Sequence, residues 1–321
     1  MAGGVPRYLL RRASEAVIVI LVMSFVIYTL MGLMPGDPID LMVQADPNLT
    51  PADAARLKAL YGLDRPIHER YLNWLGAAIK GDFGYSRLHS RPALEVLGPR
   101  LASTAQLMFS SFAIALLLAL PIGVISALRP RSKTDYAVNL LALAGISLPV
   151  FWLALMLIVL FAVNLSWLPA SGVATIGADG LIDRLRHLIL PVITLAIAST
   201  GGLTRYVRAA MIEALRHDFI RTARAKGLPE TMVVLKHALR NALIPVVTIV
   251  ALGFGSLFSG ALITETMFGF PGMGKLIYDS IIGSDYNMAL VSLLFATALV
   301  LTSNLLADLC YAWLDPRIRY R

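Results

Sequence analysis

Near its C-terminal third the chain carries a pattern associated with phosphate chemistry. Gly269-Phe270-Pro271-Gly272-Met273-Gly274-Lys275 fits G-x-x-x-x-G-K, in which backbone amides and a lysine hold the phosphates of a nucleotide. The next residue is Leu276, so the hydroxyl that would hold Mg²⁺ is missing, and Pro271 removes an amide from the cradle. A long apolar run precedes it instead of a short strand, and a Gly/Pro turn is the expectation. Metal chemistry is no better served. His68, His89, His187, His217 and His237 show neither H-E-x-x-H nor any paired ligand spacing. No nucleophile–base constellation stands out, and Cys310 is the only cysteine, so no disulfide can form within the chain. No catalytic residue, metal or cofactor is expected.

A different kind of chemistry, recognition by charge and shape, is written between Glu213 and Ala242. Glu213–Lys226 can run as a basic amphipathic helix, and Gly227 suits the left-handed position after its end. Pro229 restarts the chain, with Glu230 in the first turn where the helix dipole favours an acid. Val233, Val234, Leu235, Ala238 and Leu239 then lead into an apolar run. The expected result is a helical elbow with Ala223 and Ala225 as a slim tip among Arg221, Arg224 and Lys226. Two readings stand side by side on these residues: a helix lying on anionic lipid, and a device that docks into the acidic-rimmed groove of a partner.

The elements that must position this elbow are membrane spans. The chain has 321 residues, 57% hydrophobic and 15% charged, and its mean hydropathy is +0.72. A bilayer core about 30 Å thick needs about 20 apolar residues per helix. Six runs qualify: 13–34, 101–128, 136–163, 188–207, 242–268 and 288–312. They are continuous and not alternating, which excludes a strand barrel. The expected fold is an all-α polytopic protein, organised as a tail and first span (1–34), an outer segment (35–100) and a five-helix core (101–321) carrying the loop 208–241. Pro121, Pro149, Pro191 and Pro245 lie inside spans and should kink them, which makes them candidate gate residues. Glu265 and Asp308 lie toward span ends and are candidates for a substrate path.

Charge sets the orientation. The flanks on one side hold sixteen Lys and Arg, among them Arg7, Arg129 and Arg319, against only Glu213, Asp218, Glu230 and Asp315. Segment 35–100 on the other side is balanced, so both termini are expected in the cytoplasm. The net charge of +8 then reflects topology, which argues against nucleic-acid binding. Arg7, Arg11 and Arg12 resemble the start of a signal peptide, but the apolar run that follows is too long and lacks a small-x-small cleavage site. In the outer segment Thr50-Pro51-x-Asp53 is an N-cap signature for a short helix through Leu57, Leu60 and Tyr61. Pro66 opens a second helix with Tyr71, Leu72, Trp74, Leu75 and Ile79 on its apolar positions, followed by a turn-rich stretch to Ser86. That segment fits an interfacial cap on the bundle and also a surface for a soluble partner.

Arg221-Thr222-Ala223-Arg224-Ala225-Lys226-Gly227, followed by His237 through Pro245, resembles the ATPase-coupling loop of bacterial ABC importer permeases, in the dipeptide, oligopeptide and nickel branch. The general pattern Glu-Ala-Ala-x3-Gly is represented here by Arg221-Thr222-Ala223 and Gly227. Further stretches are similar to the same branch: Leu33–Pro38, Tyr61–Pro66, Gly81–Ser86, Ile146–Pro149, Glu265–Gly274 and Asp315–Arg319. The resemblance implies a non-catalytic permease subunit in the inner membrane with no cofactor of its own. Its implied partners are a second homologous permease subunit, two cytoplasmic ATPases and an extracytoplasmic binding protein that delivers peptides, glutathione or a nickel chelate. It also implies that Glu213, Asp218, Arg221, Thr222, Ala223, Arg224, Ala225, Lys226 and Gly227 form the coupling surface. An ion-coupled carrier is disfavoured, since no inverted repeat is visible.

Overall fold

The computed structural model describes residues 4–33, 50, 52–53, 56, 64–178 and 180–314, without the side chains of 4–10, 248, 251–260, 307 and 310–314. The helices are α1 (Gly4–Gly32), α2 (Ile67–Ile79), α3 (Ala93–Leu128), α4 (Lys133–Ser147) and α5 (Val150–Leu157), the last continuing as a π-helix over Ile158–Asn164. They continue with α6 (Leu181–Arg216), α7 (Asp218–Ala225) and α8 (Glu230–Met232), which runs through π-helical Val233–Ala238 into α9 (Leu239–Met267), then α10 (Met273–Ile282) and α11 (Tyr286–Leu314). A two-stranded hairpin, β1 (Tyr85–Ser86) and β2 (Arg91–Pro92), precedes α3.

The described part of each expected apolar run is mainly helical, and the run at 136–163 is divided between α4 and α5 with its π-helical extension. Among the described residues four helices are long and apolar enough to cross a membrane: α1, α3, α6 and α11. The run at 136–163 is bent by 99° between α4 and α5 and does not form one straight span. The sequence explains the bend. Pro149 forces its predecessor out of the helical region, so Leu148 is extended (φ −76°, ψ 124°) and α5 must start afresh. The start of α4 is equally well specified. Ser132 caps it by accepting the Asp135 amide (3.2 Å), and Asp135 reaches back to the Arg131 amide (2.8 Å).

Contacts divide the chain into two compact units. One is built on Ala102–Lys275, with Arg12 and the described part of α11 from Leu299 onward. Within it α6 packs on both α4 and α9. Its largest apolar cluster joins Val207 and Met211 of α6 to Ile220 and Ala223 of α7 and to Val233, Val234 and Ala238 beyond. The side chain of Asp135 is buried at an α3–α4–α6 joint: Arg208 grips it with Nε and Nη2 (2.6 and 2.8 Å), and Ser126 and Asn139 donate as well (2.5 and 2.9 Å).

The other unit comprises the described part of Ala13–Leu101 with Leu276–Ala298. Here α2 forms as Pro66 predicts and meets α1 through Tyr71 and Trp74, while Leu72 and Ile79, also expected on its apolar face, are exposed. Tyr71 shares a 2.8 Å hydrogen bond with Ser24 and meets Phe25 edge-on at 5.1 Å. Trp74 and Phe83 extend the aromatic column toward Phe295. Thr50 makes the expected N-cap bond, accepting the Asp53 amide at 3.3 Å, and the Asp53 carboxylate accepts the Thr50 hydroxyl in return at 2.6 Å. Leu57, Leu60 and Tyr61 of that expected helix lie outside the described residues, as do Met34–Pro38 and Asp315–Arg319 of the resembling stretches.

Candidate functional site: the elbow and the membrane core

The elbow is two helices, not one. α6 ends at Arg216, His217 is extended (φ −72°, ψ 152°), and α7 begins at Asp218. Every residue from Glu213 to Lys226 tolerates a helix, so local propensity did not foretell the break. Its cause is burial. The turn at His217 swings α7 so that Ile220 (0% exposed) and Ala223 (5%) enter the core cluster beneath them. Ala223 is therefore an anchor and not the slim tip the sequence suggested. The outward surface is made instead by Asp218, Phe219, Arg221, Thr222, Arg224, Ala225 and Lys226, with Phe219 stacked on His217 at 5.5 Å. Phe219 escaped the sequence reading, since an aromatic one residue from a buried Ile looks like core.

α7 stops as Gly227 predicts. Gly227 has φ +72° and donates to the Arg224 carbonyl (2.9 Å), while the Leu228 amide reaches the Ala223 carbonyl (3.4 Å). These two bonds form a Schellman cap with glycine at its left-handed position. Leu228 packs into the same cluster as Ala223, completing the motif's apolar contact. Arg224 then clamps the next turn: its guanidinium donates to both Glu230 oxygens at 3.1 and 2.5 Å, and this holds the Glu230 carboxyl below its ordinary range. Asp218 and Arg221 face each other at 3.5 Å with more than four-fifths of each side chain in solvent, so their pairing contributes little. Glu213 is exposed at the end of α6. The elbow is thus a capped, clamped and mostly cationic surface that exposes Phe219.

Glu265 is enclosed by its neighbours. It is fully buried, accepts the Thr104 hydroxyl at 2.5 Å, and accepts the Lys275 amide at 3.1 Å in the first turn of α10. Thr104 in turn accepts the Met273 amide at 2.7 Å. The carboxylate therefore occupies the Lys275 amide and Thr104 the Met273 amide within the Gly269–Lys275 pattern, which is a Gly/Pro turn preceded by helix α9. Gly272 permits it, because any Cβ there would overlap the Glu265 carboxylate. Asp308 is also engaged: Arg12 Nε donates to it at 2.7 Å. Ser86, His89 and Asp285 come together too, but in the wrong order for nucleophilic catalysis. Ser86 donates directly to Asp285 at 2.5 Å, and Asp285 also accepts the Leu88 and Met288 amides. Among the described residues no cluster of His, Cys, Asp and Glu could hold a metal.

The candidate gate residues differ in setting: Pro191 is buried within α6, Pro121 and Pro245 are exposed on α3 and α9, and Pro149 is exposed in the break between α4 and α5. The unit built on 102–275 does contain a cavity of about 730 Å³, lined by α6 with parts of α3, α4 and α9, and none of the four prolines, Glu265 or Asp308 borders it.

Comparison with known proteins places this architecture. A family model described as binding-protein-dependent transport system inner membrane component matches residues 119–320, and its N-terminal companion matches residues 5–108. The chain belongs to this permease family. It is 42% identical over 315 residues to the oligopeptide transport system permease protein AppB of Bacillus subtilis (strain 168), covering 98% of this chain and 99% of that one. It is 34% identical over 337 residues to the dipeptide transport system permease protein DppB of Escherichia coli (strain K12), with the same coverages. The glutathione transport system permease protein GsiC of Salmonella typhi is 36% identical over 314 residues, again at 98% and 99%. Among solved structures, an inward-facing MetNI methionine ABC transporter superposes with TM-score 0.58 at 19% identity, covering 69% of this chain and 97% of that one. As a permease of this family the chain is an inner-membrane protein, and the expected importer-type fold is the observed one.

Proposed function

We propose that this permease forms half of the translocation pore of an ATP-driven importer for short peptides, paired with a second homologous permease subunit. Two cytoplasmic ATPases supply the energy and an extracytoplasmic binding protein delivers the cargo. The observation that carries the reading is the elbow: a capped, exposed helix on a packed base, in a chain whose family is defined by dependence on a binding protein. Closure of the ATPases would push on Asp218–Gly227 and, through Ile220 and Ala223, on the cluster that holds α6 and α9. Rigid-body transmission of this kind needs a stiff lever, and the Schellman cap with the Arg224–Glu230 clamp provides one.

The proposed topology has six spans with both termini and the elbow in the cytoplasm. The pairing of Arg12 with Asp308 supports it, because it brings the first and last spans together near their terminal ends, as an even number of crossings requires. Peptides are the proposed cargo because relatives named for oligopeptides and dipeptides align along the whole chain. Glutathione is the second reading, favoured by the relative named for it.

The test is uptake by the assembled complex in proteoliposomes with labelled dialanine, trialanine and glutathione. The reading expects uptake that needs ATP, the ATPases and the binding protein. Uptake by this chain alone, driven by an ion gradient, would overturn it. Thiol labelling in intact cells checks the topology: a cysteine at Asp82 should react with an impermeant reagent and one at Lys226 should not.

A further inference from the structure

The cavity along α6 has a chemical character that the coupling function leaves unused. Along α6, Ala198, Ser199, Gly202, Arg205, Tyr206 and Ala209 border it. Their spacing of three and four places them on one face of the helix. The small residues make the hollow, and Phe112, Ile146 and Ile249 provide apolar walls from neighbouring helices. The volume of about 730 Å³ lies within the usual range for ligand pockets, about 300–1,000 Å³.

Its polar groups are of two kinds. Arg208 and Asn139 border the cavity but are committed to Asp135, which neutralises the arginine. Arg205, Ser199 and Tyr206 make no hydrogen bond or ion pair within the chain among the described residues. Arg205 lies one turn before Arg208 on α6, exposed to the cavity and near the end of the apolar run 188–207, where the helix leads into the elbow. Among the described residues no acid borders the cavity, so they give it one uncompensated positive charge beside two hydroxyls. An unpaired guanidinium within a span is costly against lipid, and such residues face water-filled cavities or partners and mark substrate paths.

From this juxtaposition we propose that Arg205, with Ser199 and Tyr206, forms a transient site for the free carboxylate of the transported solute. The site rests on the peptide reading above and makes it more specific. A peptide always carries a terminal carboxylate whatever its side chains. The fork of Arg205 can grip that group in bidentate fashion, while the apolar walls accept varied side chains. With no acid to hold the ammonium end, the grip is one-sided, which suits a group that must be released onward.

The experiment compares labelled trialanine with trialanine amide, each driven into proteoliposomes by the complete complex. The binding protein is the same throughout, so its own preference cancels when variants are compared. Loss of one charge-assisted contact predicts that Arg205→Gln lowers the acid-to-amide uptake ratio about tenfold. Arg205→Lys should restore most of the ratio, and Ser199→Ala should lower it less than Arg205→Gln. An unchanged ratio in Arg205→Gln, or an equal fall for both peptides in every Arg205 variant, would overturn the site and assign Arg205 to a structural contact. Failure of the wild-type complex to take up either peptide would instead overturn the peptide reading on which the site depends.

Discussion

Gly227 is the residue at which backbone conformation and proposed function meet most directly. Its φ is +72°, and a Cβ built on it would find no atom within 4 Å. A side chain there therefore meets no steric obstacle from neighbours, and its whole cost is conformational. For an ordinary L-residue the left-handed region costs about 1–2 kcal/mol, and more for a β-branched one. Asn tolerates this region, so the order of damage should be Asn, then Ala, then Val. The affected bonds are the two that close α7, from Gly227 to Arg224 and from Leu228 to Ala223. A loss of 1–2 kcal/mol corresponds to about 5–30-fold more frequent opening. Hydrogen exchange at residues 227 and 228 of the purified chain should accelerate by that factor in Gly227→Ala, and beyond it in Gly227→Val. Uptake by the assembled complex should fall in the same order while expression persists. Wild-type exchange in Gly227→Val would refute the reasoning, because the cap would not then depend on glycine.

Three further expectations test the frame around the elbow. Asp135→Ala strips Arg208 of its partner, and removing one side of a buried pair costs about 3–5 kcal/mol. Arg208 keeps a quarter of its side chain exposed, which points to the lower end, and thermal unfolding of the purified chain should show the loss, with Asp135→Leu/Arg208→Met recovering much of it. Gly272→Ala should destabilise strongly by colliding with Glu265, and the pair Gly272→Ala/Glu265→Ala should be less harmed than Gly272→Ala alone if that collision is the cause. The Arg224 clamp lowers the Glu230 carboxyl, so its contribution is complete above the ordinary glutamate range and is lost as pH falls through the lowered value. A carbon NMR titration should place the Glu230 midpoint below a normal glutamate and return it to normal in Arg224→Gln.

Much of this was legible in the residues. The helix after Pro66, the Asp53 amide on the Thr50 hydroxyl and the left-handed φ of Gly227 all depend on local rules and are found as those rules require, whereas of the six apolar runs four lie on helices long and apolar enough to span and the run at 136–163 is bent. The bend at Leu148-Pro149 was readable as a proline effect, though its size was set by packing. Ser132-x-x-Asp135 was a capping signature that could have been read. The break at His217 could not, because it exists to bury Ile220 and Ala223 against residues far along the chain. Glu265 looked like a path residue because an acid in a span invites that reading. Only the fold brings Gly272, Met273 and Thr104 around it. Arg205 was the opposite case: an arginine inside an apolar run was visible, but its significance needed the cavity.

Cross-linking at the elbow tests the central claim most directly. In a Cys310→Ser background, Thr222→Cys and Lys226→Cys place thiols on the exposed face of α7, and Gly76→Cys places one on α2. The assembled complex is treated with a short bifunctional thiol reagent, with and without ATP. Coupling through the elbow predicts covalent capture of the ATPase subunit from positions 222 and 226, changing in yield with ATP, and none from position 76. Absence of capture at both elbow positions in a complex that still hydrolyses ATP and transports would contradict the account.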